Sequence, residues 1–180
     1  MGKRRSQDAH VFVFGRYHPD GDRRHCERRR HGSAALPGHL RSRIFAAADT
    51  EKLERACRKL GRCRIGQAVA TPGCGLPCRY IIHVAGPGWY GGEPRERFLL
   101  AGCYQNALHK AYLCSCRRVA VPLIFSGDCH MPRAASLRVA GAAIADFCQR
   151  HPSMEVTLVL YRQSIYDMAK RILGWEDAPS

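Results

Sequence analysis

Three times along this chain a short apolar run gives way to a helical pattern, and that alternation restricts the fold more than any single motif. Arg79 to Ala85 leads to Pro94 to Leu113, Val119 to Phe125 leads to Pro132 to Gln149, and Val156 to Tyr161 leads to Ser164 to Leu173. Short runs rich in β-branched residues read as buried strands, and apolar positions recurring at three and four read as amphipathic helices. Strands joined through helices argue for a mostly parallel sheet covered on both faces. The expected class is α/β, a three-layer α/β/α sandwich.

Before these units, Leu53, Ala56, Cys57 and Leu60 recur at helical spacing between Ala47 and Leu60, with Asp49 or Thr50 as the cap and Gly61 as the stop. Gly66 to Thr71 then reads as a short strand. The helix from Pro94 to Leu113 carries its pattern through Phe98, Leu99, Cys103, Leu108 and Ala111, and Gly86 to Gly92 before it is a turn-rich loop. There are no internal repeats.

With 180 residues, 46% of them apolar, the chain is long enough for one domain with a sizeable core. No apolar run is long enough to span a bilayer, and the basic N-terminus lacks the apolar segment of a signal peptide, so the cytoplasm is the expected setting. The ten cysteines fall largely within apolar patterns, where a thiol packs as a small hydrophobe, and a disulfide framework is not expected.

Charge is distributed unevenly. Of the net +14, residues 1 to 43 supply eleven Lys and Arg against four Asp and Glu, which is +7. That stretch is rich in Arg, His, Gly and Pro, and its one alternating apolar run is Val11-Phe12-Val13-Phe14. It reads as a disordered basic arm with one strand at most. The division expected is therefore an atypical arm at 1–43, the folded domain at 44–174 and a tail at 175–180.

One junction stands out as a place for a ligand. The strand Val119 to Phe125 breaks into Ser126-Gly127-Asp128 before Pro132 opens a helix. In an open α/β sheet, ligands collect at the carboxyl ends of strands, where loop N–H groups and a helix N-terminus hold an anion. His83, alone in its strand, reads as a hydrogen-bonded structural residue. Cys74 with Cys78, and Cys114 with Cys116, match zinc spacing poorly and have no paired His, so no metal is expected. No Ser-His-Asp or Cys-His arrangement stands out, and no catalytic residue is assigned.

Residues 44 to 173 resemble the macro domain, the ADP-ribose-binding module, in several motifs taken in order. Ile44-Phe45-Ala46-Ala47-Ala48 is similar to the family's A-I-x-x-A-A, and Cys63 to Thr71 to its C-x-x-G-x-A-x-x-T. Leu76-Pro77-Cys78-Arg79-Tyr80-Ile81-Ile82-His83-Val84-Ala85-Gly86-Pro87, followed by Trp89, resembles L-P-x-K-Y-I-I-H-x-V-G-P-x-W. Cys103 to Leu108 is similar to C-Y-x-N-S-L, and Val119 to Pro132 to the strand and loop I-A-F-P-x-I-S-T-G-x-Y-G-F-P.

The resemblance implies the same sandwich with a mixed sheet. It also implies an ADP-ribose diphosphate lying against Phe125, Ser126, Gly127, Asp128, Cys129, His130 and Met131, with Tyr161 stacking on the adenine. The ligands implied are ADP-ribose or O-acetyl-ADP-ribose, and ADP-ribosylated proteins as partners. No cofactor, membrane or nucleic acid is called for, and the remaining positive charge suits a pyrophosphate. Ser126 and Gly127 match the family. Phe125 stands where the family has a serine, Cys129 where it often has an aromatic, and His130 where it has a glycine. Asp128 repels a phosphate unless it points away.

The family's upstream motifs, G-D-I-T and then D-A-I-V-N-A-A-N with a Gly-rich loop, are missing. Gly15-Arg16-Tyr17-His18 and Arg23 to Arg30, read one nucleotide later with suitable codons, encode Gly-Asp-Ile-Thr and Asp-Ala-Ile-Val-Asn-Ala-Ala at the family's spacing. The arm therefore reads as a frame-shifted relic, with a divergent N-terminus as the alternative. Without the Asn that orients the distal ribose and water, the expectation is ADP-ribose binding with impaired hydrolysis; the alternatives are a non-catalytic or degenerate binding module and, more distantly, a basic RNA-binding protein.

Overall fold

The structure, a computed structural model, describes residues 10–17, 40–61, 63–86, 94–124 and 131–174. In chain order these form β1 (His10–Tyr17), α1 (Leu40–Ala47), α2 (Thr50–Leu60), β2 (Ala68–Pro72), β3 (Tyr80–Gly86), α3 (Pro94–Leu113), β4 (Arg118–Pro122), α4 (Arg133–Arg150), β5 (Glu155–Val159) and α5 (Gln163–Leu173). The sheet order is β2-β3-β1-β4-β5. β2 runs antiparallel to β3, and the other pairings are parallel, so the sheet is mixed and mostly parallel as expected.

Local chemistry sets the helix ends. Asp49 caps α2, accepting the Lys52 N–H at 3.1 Å, and Gly61 ends it with φ 66, a conformation that favours glycine. In α3 the buried positions Leu100, Cys103, Tyr104, Ala107, Leu108 and Ala111 follow the three-and-four spacing and form one continuous stripe. Gly141 in α4 lets α5 come close, since a Cβ there would meet the Leu173 side chain at 2.5 Å.

Adjacent residues of β3 serve opposite faces. Ile81 packs with Leu53 of α2, while Ile82 and Val84 join the larger core with α3, α4 and β4. Helices on both faces bury the strand throughout, which is why its apolar run is continuous rather than alternating. β5 differs. Val156 and Leu158 are half-buried beside Val119 and Val121, whereas Glu155, Thr157 and Val159 are exposed.

The sequence places the start of ordered structure near Ile44, but the sheet reaches further back. The run Val11 to Phe14 lies within β1, and β1 is the middle strand, in register with β3 from Val11↔Tyr80 to Tyr17↔Gly86. α1 likewise starts at Leu40. The physical reason is that β3 and β4 each present a ladder edge that needs a partner, and a β-branched and aromatic run fills it even within a basic segment. A disordered arm is therefore not the description of His10–Tyr17. Residues 1–9, 18–39 and the tail 175–180 lie outside the described residues.

Candidate functional site

The chain path sets a topological switch point at the carboxyl edge of the sheet. From β1 the chain moves toward β2 on one side, and from β4 it moves to β5 on the other. In α/β sheets, ligands bind where neighbouring strands lead to opposite sides in this way. Here β1 and β4 are in register only from His10↔Arg118 to Phe12↔Ala120, although β1 continues to Tyr17 beside β3. The hydrogen-bonded ladder thus opens before the carboxyl ends of both strands, while the strands themselves stay side by side.

The junction from β4 to α4 borders that opening and is tied down at both ends. Ile124 is buried, its N–H donates to the Tyr104 hydroxyl at 3.0 Å, and its carbonyl accepts from the Ser136 hydroxyl at 3.3 Å. Tyr104 and Ser136 are both fully buried, one on α3 and one on α4. Burial pushes the Tyr104 hydroxyl well above its usual range, and the hydrogen bonds from Ile124 and with Ser136 pull it back only in part. It remains a neutral group with a proton to give, and it reaches toward the Pro122 carbonyl at 3.5 Å. On the far side, Met131 is buried in the larger core.

Between these anchors, Phe125, Ser126, Gly127, Asp128, Cys129 and His130 lie outside the described residues. Of the residues expected to meet a diphosphate, Met131 is described, and it packs inward. The amino end of α4 follows at once. Pro132 gives it no side-chain cap, its first turn has no acidic residue, and Arg133 is exposed there. Such a helix end favours an anion, because its first N–H groups and the helix dipole both present positive charge.

Tyr161 leaves the same edge one strand over. Its expected strand, Val156 to Tyr161, stops at Val159, so Tyr161 lies in the link to α5 with 72% of its surface exposed. Pro122 and Val159 are register partners, which puts Ile124 and Tyr161 each two residues past a paired position. The structure therefore brings Tyr161 and the β4–α4 junction to one edge of neighbouring strands.

Other candidates fall elsewhere. His83 is buried, with Nε2 2.9 Å from the Thr71 hydroxyl, inside the β2–β3 pair, as a structural histidine should be. Cys74 and Cys78 pack against Leu53 and Ile81. The Cys116 thiol donates to the Cys114 carbonyl at 3.6 Å, and burial pushes it up to about 11. Among the described residues no group of three His, Cys, Asp or Glu could hold a metal ion, and no disulfide joins the eight described cysteines.

Sequence reasoning missed the anchors Tyr104 and Ser136. Each is a polar side chain within an apolar helical stripe, a signal that asks for a distant partner.

Comparison with known proteins gives a consistent result. The model of the Macro domain family matches residues 35–140. A macro domain-containing protein of Ralstonia nicotianae is 50% identical over 90 residues, covering 50% of this chain and 52% of that protein. An O-acetyl-ADP-ribose deacetylase of Cronobacter sakazakii is 34% identical over 127 residues, covering 68% of this chain and 71% of that protein. The chain thus spans about half the length of the first and over two thirds of the second. Among solved structures, the Oceanobacillus iheyensis macrodomain with ADP superposes with a TM-score of 0.74 at 26% identity, covering 93% of this chain and 84% of that one.

Proposed function

This chain belongs to the macro domain family, and from that membership we propose that it binds ADP-ribose or a derivative such as O-acetyl-ADP-ribose at the carboxyl edge of its sheet. The observation that carries this reading is the switch point between β1 and β4, where their ladder ends beside a junction that Tyr104 and Ser136 hold in place. The diphosphate would lie against Phe125 to Met131 and the amino end of α4, with Gly127 letting the backbone approach it. Tyr161 would stack on the adenine. That the Cronobacter relative is a deacetylase and the Oceanobacillus structure holds ADP supports a ligand of this class.

Turnover is the weaker half of the activity. The Asn that orients the distal ribose and water in the family has no counterpart in this sequence, while Phe125, Cys129 and His130 depart from the loop pattern and Asp128 opposes a phosphate. We therefore read the protein as a binder of ADP-ribose or of ADP-ribosylated proteins whose hydrolysis of the O-acetyl ester or of protein-linked mono-ADP-ribose is impaired. A cytoplasmic setting belongs to the same reading.

Titration of the full chain with ADP-ribose in a calorimeter, alongside a deacetylation assay on O-acetyl-ADP-ribose, tests both halves. Saturable heat without turnover is expected. No heat at millimolar ADP-ribose would leave a degenerate module, and steady turnover would overturn the impairment.

A further inference from the structure

A second concavity lies at the other end of the strand order, beside β2. One wall is a single face of α3, where Asn106, His109, Lys110 and Leu113 follow helical spacing; the other is the turn Arg64 to Gln67 leading into Ala68. The groove has a volume of about 530 Å³, and none of its nine lining residues is a carboxylate. Asn106 fixes the two walls together by donating Nδ2–H to the Gly66 carbonyl at 2.7 Å. The Gly66 N–H in turn donates to the Ala85 carbonyl at 2.7 Å, which ties the turn to the end of β3. The Arg64 backbone N–H donates to the Gln67 side chain at 2.9 Å, so the turn that carries the guanidinium is itself closed.

Two cationic side chains therefore stand on opposite walls of a braced groove. His109 supplies a ring in the groove, and beside it, outside the nine lining residues, Tyr112 lies 6.4 Å and 25° from that ring, packs against His151 at 4.4 Å and is 44% exposed. Exposed Ile65 and Leu113 lie at its margin. Cations that track a backbone, with π surface beside them, are the parts that hold single-stranded nucleic acid without reading its sequence. An acidic peptide would use the charges but has no need of the rings.

We propose that this groove binds the phosphodiester backbone of single-stranded RNA, with Arg64 and Lys110 on phosphates and the His109–Tyr112 pair against a base. β2 is two positions from β1 and three from β4, roughly 10 to 14 Å at the usual strand spacing, so the groove lies along the same carboxyl edge as the proposed ADP-ribose site but shares none of its residues. The sequence alone gives no reason to expect nucleic acid beyond its charge; the groove supplies the geometry.

The test is fluorescence anisotropy of a labelled oligouridylate with the full chain, its double variant Arg64→Glu/Lys110→Glu, and Tyr112→Ala, each first checked by circular dichroism for native helix content. The wild type should bind with strong salt dependence. The double variant should lose about tenfold or more in affinity and flatten the salt slope by about 1.4, the value for two phosphates on a single strand. Tyr112→Ala should weaken binding without changing that slope. Unchanged affinity in a folded double variant would assign the binding to the basic N-terminal residues and overturn the proposal, as would equal affinity for polyglutamate. Competition by ADP-ribose would place the RNA at the β4–α4 junction and overturn it too. If the double variant does not fold, the milder Lys110→Gln and Arg64→Gln variants, tested singly, should each flatten the slope by about half as much, and unchanged slopes would refute the site.

Discussion

The Tyr104 hydroxyl, fully buried on α3, accepts the backbone N–H of Ile124 at 3.0 Å, and through that bond a helix on one face of the sheet fixes where a strand ends. Ile124 begins the connection that carries the proposed diphosphate contacts. A side chain without contact to ligand is thus set to decide whether the loop starts in the right place.

Tyr104→Phe leaves the buried Ile124 N–H without its acceptor. The expected cost is about 1–3 kcal/mol in urea denaturation, the usual penalty for a stranded buried donor. Ser136→Ala, which strands the Ile124 carbonyl, should cost somewhat less because a carbonyl tolerates under-satisfaction better. Both should weaken ADP-ribose binding measured by calorimetry. Unchanged stability in Tyr104→Phe would show that the bond contributes nothing net.

Tyr161→Ala separates binding from folding. With the ring 72% exposed, stability should stay within about 0.5 kcal/mol of wild type. If the ring stacks on adenine, ADP-ribose affinity should fall by about 0.5–1.5 kcal/mol, and Tyr161→Phe should restore most of it. Equal affinity in all three proteins would remove Tyr161 from the site.

Two helical glycines should respond differently to alanine. At Gly102 in α3 nothing lies within 4 Å of an added Cβ, so Gly102→Ala should stabilise by about 1 kcal/mol through helix propensity alone. At Gly141 the same Cβ meets Leu173 at 2.5 Å, and displacing that side chain should consume the gain. Thermal melts of the two variants decide it; equal shifts would mean that α5 yields freely.

Asp49 predicts a pH dependence. Its hydrogen bonds with the Lys52 side chain and backbone N–H hold its carboxyl below the ordinary 3.8, against a small opposing desolvation. A depressed folded value stabilises the fold above the unfolded value, and that contribution is lost as pH falls through the folded one. Asp49→Asn should therefore be less stable than wild type at neutral pH, with the gap closing as pH drops below 3.8. A constant gap between pH 7 and pH 2 would mean that the charge is irrelevant.

The elements with strong periodicity were the legible ones. The helix over Pro94–Leu113 is read from sequence to the residue, because its apolar stripe, its opening proline and the turn signals before it agree. The end of β5 was read two residues long, since Leu160 and Tyr161 continue an apolar run that the ladder does not. β1 was undervalued for the opposite reason. Four apolar residues in an arginine-rich arm carry weak local signal, and only the vacancy between β3 and β4 gives them their place. Of the proposed site, the strand and the helix that flank it were legible, but not their supports, because Tyr104 and Ser136 act across 20 and 12 residues of sequence. The groove beside β2 was invisible for the same reason, since Arg64 and Lys110 meet only once α3 has crossed the strand pair.

The β1–β4 ladder stops at Phe12↔Ala120, which leaves a seam that should breathe from one end. No register pair follows Phe12↔Ala120 among the described residues, so deuterium should enter along that side of β1 from the carboxyl edge while the β3 side stays closed. An anion seated across the seam would lace its two lips together. Its arrival would then register as slowed isotope uptake in the middle of the sheet, in a strand it need not touch.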